Sequence, residues 1–252
     1  MKKIAFLIIL MSVVLVFTAS WAGASNQGPR SESVTISASK DNTLYEDNDG
    51  VLSNGFGAHF FSGRASGTAN NGAIRRGLIA FDSLTTVVPA GSLILGAELI
   101  LHMSRSTSSV QPVALHKVEA DWGEAASDAA GEEGGGAAAE PQDATWLHTF
   151  YADQFWQTPG GDFAATPSAM TMVGGTGSYT WSGPGITGDV RDWLVNPDSN
   201  YGWVLLNESS NKTTKRFDSR ENSTAEFQPK LLITFLPREQ VEKLYMPVVL
   251  KN

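Results

Sequence analysis

The chain has 252 residues, a formal net charge of -8 and no cysteine. A chain of that size can bury one sizeable core, while disulfides and thiol nucleophiles are excluded and nucleic acid is disfavoured, because a phosphate backbone demands a basic footprint. Stability must come from core packing, supplemented by any bound ion.

Export is the first signal in chain order. Lys2 and Lys3 precede an apolar run from Ile4 to Phe17, and Ala22-Gly-Ala24 reads as a cleavage site. Residues 1–24 are therefore expected to be a signal peptide and the mature protein to be secreted, extracellular or on the cell surface. The run is shorter than the ~20 residues that span a bilayer, and no later stretch approaches that length. No membrane insertion is expected after cleavage.

Strand patterns follow. Val34-Thr-Ile-Ser-Ala38 alternates apolar and polar residues with period two, the mark of a half-buried strand. Arg75 to Phe81, Ala97 to Met103 and Val113 to Val118 are short, apolar and of strand length, and Pro89-Ala-Gly91 supplies turn residues between the first two. Tyr201 to Leu206 and Lys230 to Phe235 carry large apolar residues on both faces, which predicts strands covered twice. Only Ile186 to Val195 reads as a helix, with Ile186, Val190, Trp193 and Leu194 on one face and Asn196-Pro197 ending it. Ala125 to Ala144 is almost entirely Ala, Gly, Asp and Glu, too poor in apolar groups to offset its ordering entropy, and is expected to be a mobile loop. The fold class expected is all-β: an antiparallel jelly-roll-type β-sandwich over residues 31–236 with one short helix.

The order of short motifs resembles the DNRLRE-type domain of secreted prokaryotic proteins, which is related to a family of jelly-roll carbohydrate-binding modules. The pieces are Asp41-Asn-Thr, the Arg75 to Asp82 strand, Pro89 to Leu101, Asp121-Trp-Gly-Glu124 and Ala144-Thr-Trp146. Trp156 to Asp162, Asp189-Val-Arg-Asp-Trp193, Tyr201-Gly-Trp203, Phe217-Asp-Ser-Arg-Glu221 and Pro229 to Phe235 complete them, so that the likeness spans roughly Val34 to Leu236. It implies a jelly-roll sandwich and the binding of polysaccharide or cell-surface glycan, and it does not imply an enzyme. The residues agree on that last point. His59, His102, His116 and His148 lack metal spacing, no G-x-S-x-G elbow is present, and surface charge explains the pairs Asp121/Glu124 and Asp218/Glu221.

Three groups of residues are candidates for a site. Arg75, Arg76, Lys215, Arg216 and Arg220 could form a fork-like cradle for uronate carboxylates if their strands lie together, although local pairing would make them structural instead. Trp122 and Trp156 flank loop-like segments and are the tryptophans expected to be exposed, where an indole face would stack on sugar C–H surfaces. Asp41, Glu46, Asp47 and Asp49 offer the hard oxygens that a structural calcium ion takes, against an ordinary Asn-Asp-Gly turn. The tail after the last strand, residues 237–252, contains the apolar run Val241 to Leu250 and resembles the Y-x-P-x-x-L endings of exported proteins from gliding-type bacteria. Read as an unpaired strand, residues 241–252 could add to a neighbour's sheet edge and self-associate, or cover their own domain. The leading expectation is a non-catalytic carbohydrate-binding protein. Its alternative is a structural subunit of an extracellular matrix, filament or surface layer.

Overall fold

A computed structural model describes residues 28–65, 74–106, 108–208 and 212–245. The expected signal peptide and residues 246–252 of the tail lie outside the described residues. In chain order the strands are β1 (Glu32–Ser37), β2 (Lys40–Tyr45), β3 (Leu52–Ser53), β4 (His59–Arg64), β5 (Ile74–Ala80), β6 (Leu93–Ser106), β7 (Gln111–Lys117) and β8 (Ala137–Ala138). They continue as β9 (His148–Phe150), β10 (Gln154–Phe155), β11 (Ala169–Val173), β12 (Gly177–Ser182), β13 (Trp203–Leu206), β14 (Lys215–Asp218) and β15 (Lys230–Leu236). The helices are α1 (Leu84–Val87), α2 (Pro184–Val195) and α3 (Arg238–Tyr245).

Eleven strands form one curled antiparallel sheet, in the order β1-β15-β6-β14-β4-β5-β13-β7-β11, with β12 on β6 and β2 on β5. Strand β4 is where the sheet turns over: residues 59–62 pair with β14, and Gly63 and Arg64 pair with β5. The two halves face each other as the layers of a jelly-roll-type sandwich, the expected class. Between them lies a core built from alternate residues, among them Leu99, Leu101 and Met103 of β6, Trp181 of β12, Phe217 of β14, and Leu231 and Ile233 of β15. Helix α2 closes one end with Ile186, Val190 and Trp193 buried, the face its periodicity predicts. Helices α1 and α3 were not anticipated.

The second half of the sheet is buried on both faces. Ile79, Trp203 and Leu205 point into the main core, while Leu78, Ala80 and Val204 point outward into a second cluster with Leu44, Val118, Trp122, Ala144 and Trp156. This explains why β13 reads as apolar on both faces. For β15 the same reading fails: Leu231, Ile233 and Phe235 are buried, but Leu232 and Thr234 are only half-buried.

Residues 125–144 lie against the body of the protein, where their composition predicts a mobile loop. Polar bonds do the holding. The Ser127 carbonyl accepts from the Phe56 amide at 2.8 Å, Asn54 Oδ1 accepts from the Ala129 amide at 2.8 Å, and buried Asp143 accepts from the amides of Ala125 and Glu140. Tyr45 Oη donates to the Glu133 carbonyl at 2.9 Å, and β8 pairs with β3. Gly136, at φ 74, lets the backbone lie on the Tyr45 ring, which an added Cβ would approach to 3.2 Å. Each such bond removes the cost of leaving a buried group unpaired, and this replaces the apolar burial that the segment lacks.

The tail also departs from its expected form. Residues 238–245 are helical, with Leu244 and Tyr245 exposed, so the strand expected from Val241 onward does not begin there. Glu239 in the first turn and Lys243 in the last suit the helix dipole, and Arg238 pairs with Glu242 across one turn.

Trp203 is fully buried, packs at a tilt against Trp193 with ring centroids 4.5 Å apart and donates its indole N–H to Asp189 Oδ2 at 2.8 Å. Replacing it with alanine leaves a cavity and an unpaired carboxylate, so Trp203→Ala is expected to cost at least about 3–5 kcal/mol in urea unfolding.

Candidate functional site

The sheet register brings three arginines together. Arg105, Arg216, Phe61 and Arg75 stand on the successive strands β6, β14, β4 and β5, with Arg216 opposite both Arg105 and Phe61, and Arg75 opposite Gly63. With Ala65, Thr214, Glu132 and Gly134 they line an open groove of about 270 Å³. The Glu132 carboxylate reaches in from the 125–144 segment, and one of its oxygens sits 2.5 Å from Nη1 of both Arg105 and Arg216. The hydrogen bond from Arg105, and then its charge, hold the Glu132 pKa below the ordinary glutamate value, and Arg216 adds to the effect. Arg216 is fixed from behind by Ser104 Oγ, which accepts from its Nε at 3.1 Å. Arg75 donates to the Gly134 and Ile74 carbonyls and lies 4.8 Å from the Tyr45 ring centre. Burial lowers the pKa of Arg75 and raises that of Tyr45.

Glu133, next to Glu132, anchors this wall. Its Oε1 lies 3.0 Å from His59 Nδ1, and its Oε2 accepts from Asn54 Nδ2 and the His59 amide. His59 Nε2 lies 3.3 Å from buried Asp218, which in turn meets His102 Nδ1. The Phe227 ring stacks on His102 at 4.0 Å. Two histidines thus alternate with two carboxylates beneath the segment that carries Glu132.

Several expected site residues stand elsewhere. Arg76 points to the opposite face of its strand, pairs with Glu208 at 2.7 Å, donates to the Gly160 carbonyl and lies over Trp146 and Phe163. Lys215 is fully buried and donates to Ser106 Oγ at 2.7 Å and to the carbonyls of Ser108, Ser109 and Gly174. Its burial lowers its pKa, and it ties two hairpin turns together rather than facing solvent. Trp122 and Trp156 are buried, not exposed, with indole N–H groups donated to the Tyr201 and Thr145 carbonyls. They belong to the second core, and among the described residues no tryptophan is exposed. Arg105 and Glu132, both central to the groove, were missed. Arg105 lies two residues beyond a recognisable strand, but nothing in the sequence marks Glu132 among its alanines and glycines.

The expected calcium set separates. Glu46 Oε2 accepts from the Ile74 amide, Asp47 accepts from the amides of Asp49 and Val51, and Asp49 is exposed. Of these three, only Asp47 caps the turn, while Glu46 reaches across to β5. Asp41 instead meets Glu124 and Glu221, with one oxygen of each within 4.8 Å of the others. Arg220 lies against them, its Nη2 2.5 Å from Glu124 and 2.8 Å from Glu221. Three segments far apart in sequence, around Asp41, Glu124 and Glu221, therefore converge at one point. Burial is the main cause that raises all three carboxylate pKa values, with mutual repulsion adding at Asp41 and Glu221, and Glu221 is pushed up to about 7. No protein-family model and no curated protein matches the chain. No helix among the described residues is long and apolar enough to cross a membrane.

A carboxyl whose folded pKa lies above its unfolded value binds its proton more tightly in the folded state, so its contribution to stability falls as pH rises. For Glu221 the window runs from the ordinary 4.5 to about 7. Facing it are Glu124, Asp41 and Arg220, with Lys40 acting on Glu124. In chelating buffer, urea unfolding is expected to lose stability across that window, and Glu221→Gln is expected to flatten the slope.

Proposed function

We propose that this protein is an exported, non-catalytic module that binds carboxylated polysaccharide in the groove between Arg75, Arg105 and Arg216. One observation carries the reading: Arg105 and Arg216 already hold a single exposed carboxylate oxygen between them, at 2.5 Å from each guanidinium. A groove that accepts a glutamate carboxylate on two arginines offers the same charge-assisted bonds to the carboxylate of a uronate. Glu132 is 68% exposed in its side chain, and ion pairs so exposed are weak because water screens them. A ligand with several carboxylates can displace it.

Three further facts support the reading. The net charge of the chain is -8, so a polyanion is attracted only where positive charge is local, and the groove gathers three arginines around one acid. The groove is open, as a polymer that must pass through it requires. The export expected from residues 1–24 and the resemblance to carbohydrate-binding modules of jelly-roll form point the same way. Among the described residues, His59 and His102 are engaged with the carboxylates of Glu133 and Asp218 inside the fold.

The groove reading sets two opposite expectations. Arg216→Ala should weaken retention on a polyuronate about tenfold, the equivalent of about 1.4 kcal/mol, while leaving the melting temperature within a few degrees. Glu132→Gln should strengthen it about two- to fivefold by removing the internal competitor. Affinity electrophoresis on polyuronate and neutral glucan gels measures both. Unchanged migration of a folded Arg216→Ala variant would remove the groove from consideration.

A further inference from the structure

The Asp41–Glu124–Glu221 cluster lies apart from the arginine groove and takes no part in the binding reading. Asp41 is 1% exposed, and the Glu124 and Glu221 side chains are 9% and 10% exposed. Such groups are ionised at a large solvation cost unless opposite charge or hydrogen-bond donors compensate them. The Asp41 amide donates to Glu124 Oε1 at 2.7 Å, and the Arg220 amide donates to Asp41 Oδ2 at 2.8 Å. Arg220 Nε and Nη2 face Glu124 and Glu221, and the Ser219 hydroxyl and the Glu221 amide also act on the Glu221 carboxylate.

That supply falls short in two respects. Three carboxylates present about twelve lone-pair sites, far more than the amides and the guanidinium edge can fill. Charge is short as well, because one guanidinium, with Lys40 acting on Glu124 alone, stands against three carboxylates. The shortfall has an address. Glu221 Oε1 meets Arg220, but Glu221 Oε2 is buried and has no hydrogen-bond partner. A nine-tenths buried carboxylate with an orphaned oxygen, beside two others within 4.8 Å, is the arrangement that a cation completes.

We propose that Asp41, Glu124 and Glu221 bind one hard divalent cation, calcium, on the side of the cluster away from the Arg220 guanidinium. Carboxylate oxygens are the ligands that hard cations select. Calcium binds them at about 2.3–2.6 Å, so oxygens on opposite sides of the ion stand about 5 Å apart, whereas magnesium at about 2.0–2.1 Å draws them to about 4 Å. The three ligand oxygens lie within 4.8 Å of one another, a spacing that admits the larger ion, which also tolerates irregular geometry. The ligands come from the start of β2, the segment after β7 and the turn after β14. One ion therefore ties three distant stretches of chain, and its role is structural.

Terbium(III), which replaces calcium and is excited through a nearby indole, is the direct probe, because Trp122 is two residues from Glu124. The chelator-treated full chain is titrated with terbium, back-titrated with calcium, and melted with calcium and with EDTA. Support is saturable emission at one equivalent, displaced by calcium with a midpoint of about 0.1–1 mM, and a melting temperature that rises with calcium and falls back with EDTA. Glu221→Gln is expected to weaken the site at least tenfold. Asp41→Asn, which can still accept the Arg220 amide, is expected to do the same and decides the matter if the first variant does not fold. No saturable binding below about 10 mM calcium would overturn the proposal and leave protons to balance the carboxylates. Undiminished affinity in the folded variants would overturn it equally, by placing the ion elsewhere.

Discussion

Strands β5 and β13 carry large apolar side chains on both faces, and a sheet built that way has to be covered twice. The main core covers one face through Ile79, Trp203 and Leu205. The other face, with Leu78, Ala80 and Val204, is covered by Trp122, Ala144 and Trp156 from the long connection between β7 and β11. Most of what is distinctive follows from this second cover. It carries Glu124 to the acidic cluster on one side, and Glu132 to the arginine groove on the other.

The covering segment is held in a way that composition conceals. Between residues 125 and 144 the only fully or nearly buried apolar groups are alanines, so hydrophobic burial contributes little there. Specific polar contacts take its place, with Asn54, Ser127, Glu133 and Asp143 each satisfying backbone or side-chain partners. Gly123 illustrates how tightly the backbones approach: an added Cβ would lie 1.8 Å from the Gln142 carbonyl oxygen. Low apolar content predicts disorder only when nothing else pairs with the backbone, and here something does.

Two charged sites of opposite sign stand on the same sandwich. In the groove, lined by three arginines, two guanidinium groups hold one exposed carboxylate, and the excess is positive. In the cluster three buried carboxylates surround one guanidinium, and the excess is negative. Both arise from β14 and the turn after it, where Arg216 faces one way and Arg220 and Glu221 the other. The adjacent Lys215 is consumed inside the fold by hydroxyl and carbonyl oxygens. Five basic residues that look alike in sequence thus divide into groove-lining, ion-paired and buried positions.

Periodicity was enough to identify the strands around Val34, Leu78, Leu99, Leu115, Val204 and Ile233, the α2 helix with its buried face, and the all-β class, because each depends on which side of a local element is apolar. Position on a sheet face was partly legible: Arg75 and Arg76 are consecutive on β5 and must point to opposite sides. What could not be read was which distant residues meet. Asp41 finds Glu124 and Glu221 across 83 and 180 residues, rather than Glu46, Asp47 and Asp49 beside it. Trp122 and Trp156 look loop-exposed until the second core encloses them. Glu132 has no local signature at all, since its role comes from where β6 and β14 place Arg105 and Arg216. Local pattern reports the local environment of each residue; contacts between segments exist only once the sheet has curled and its outer face has been covered.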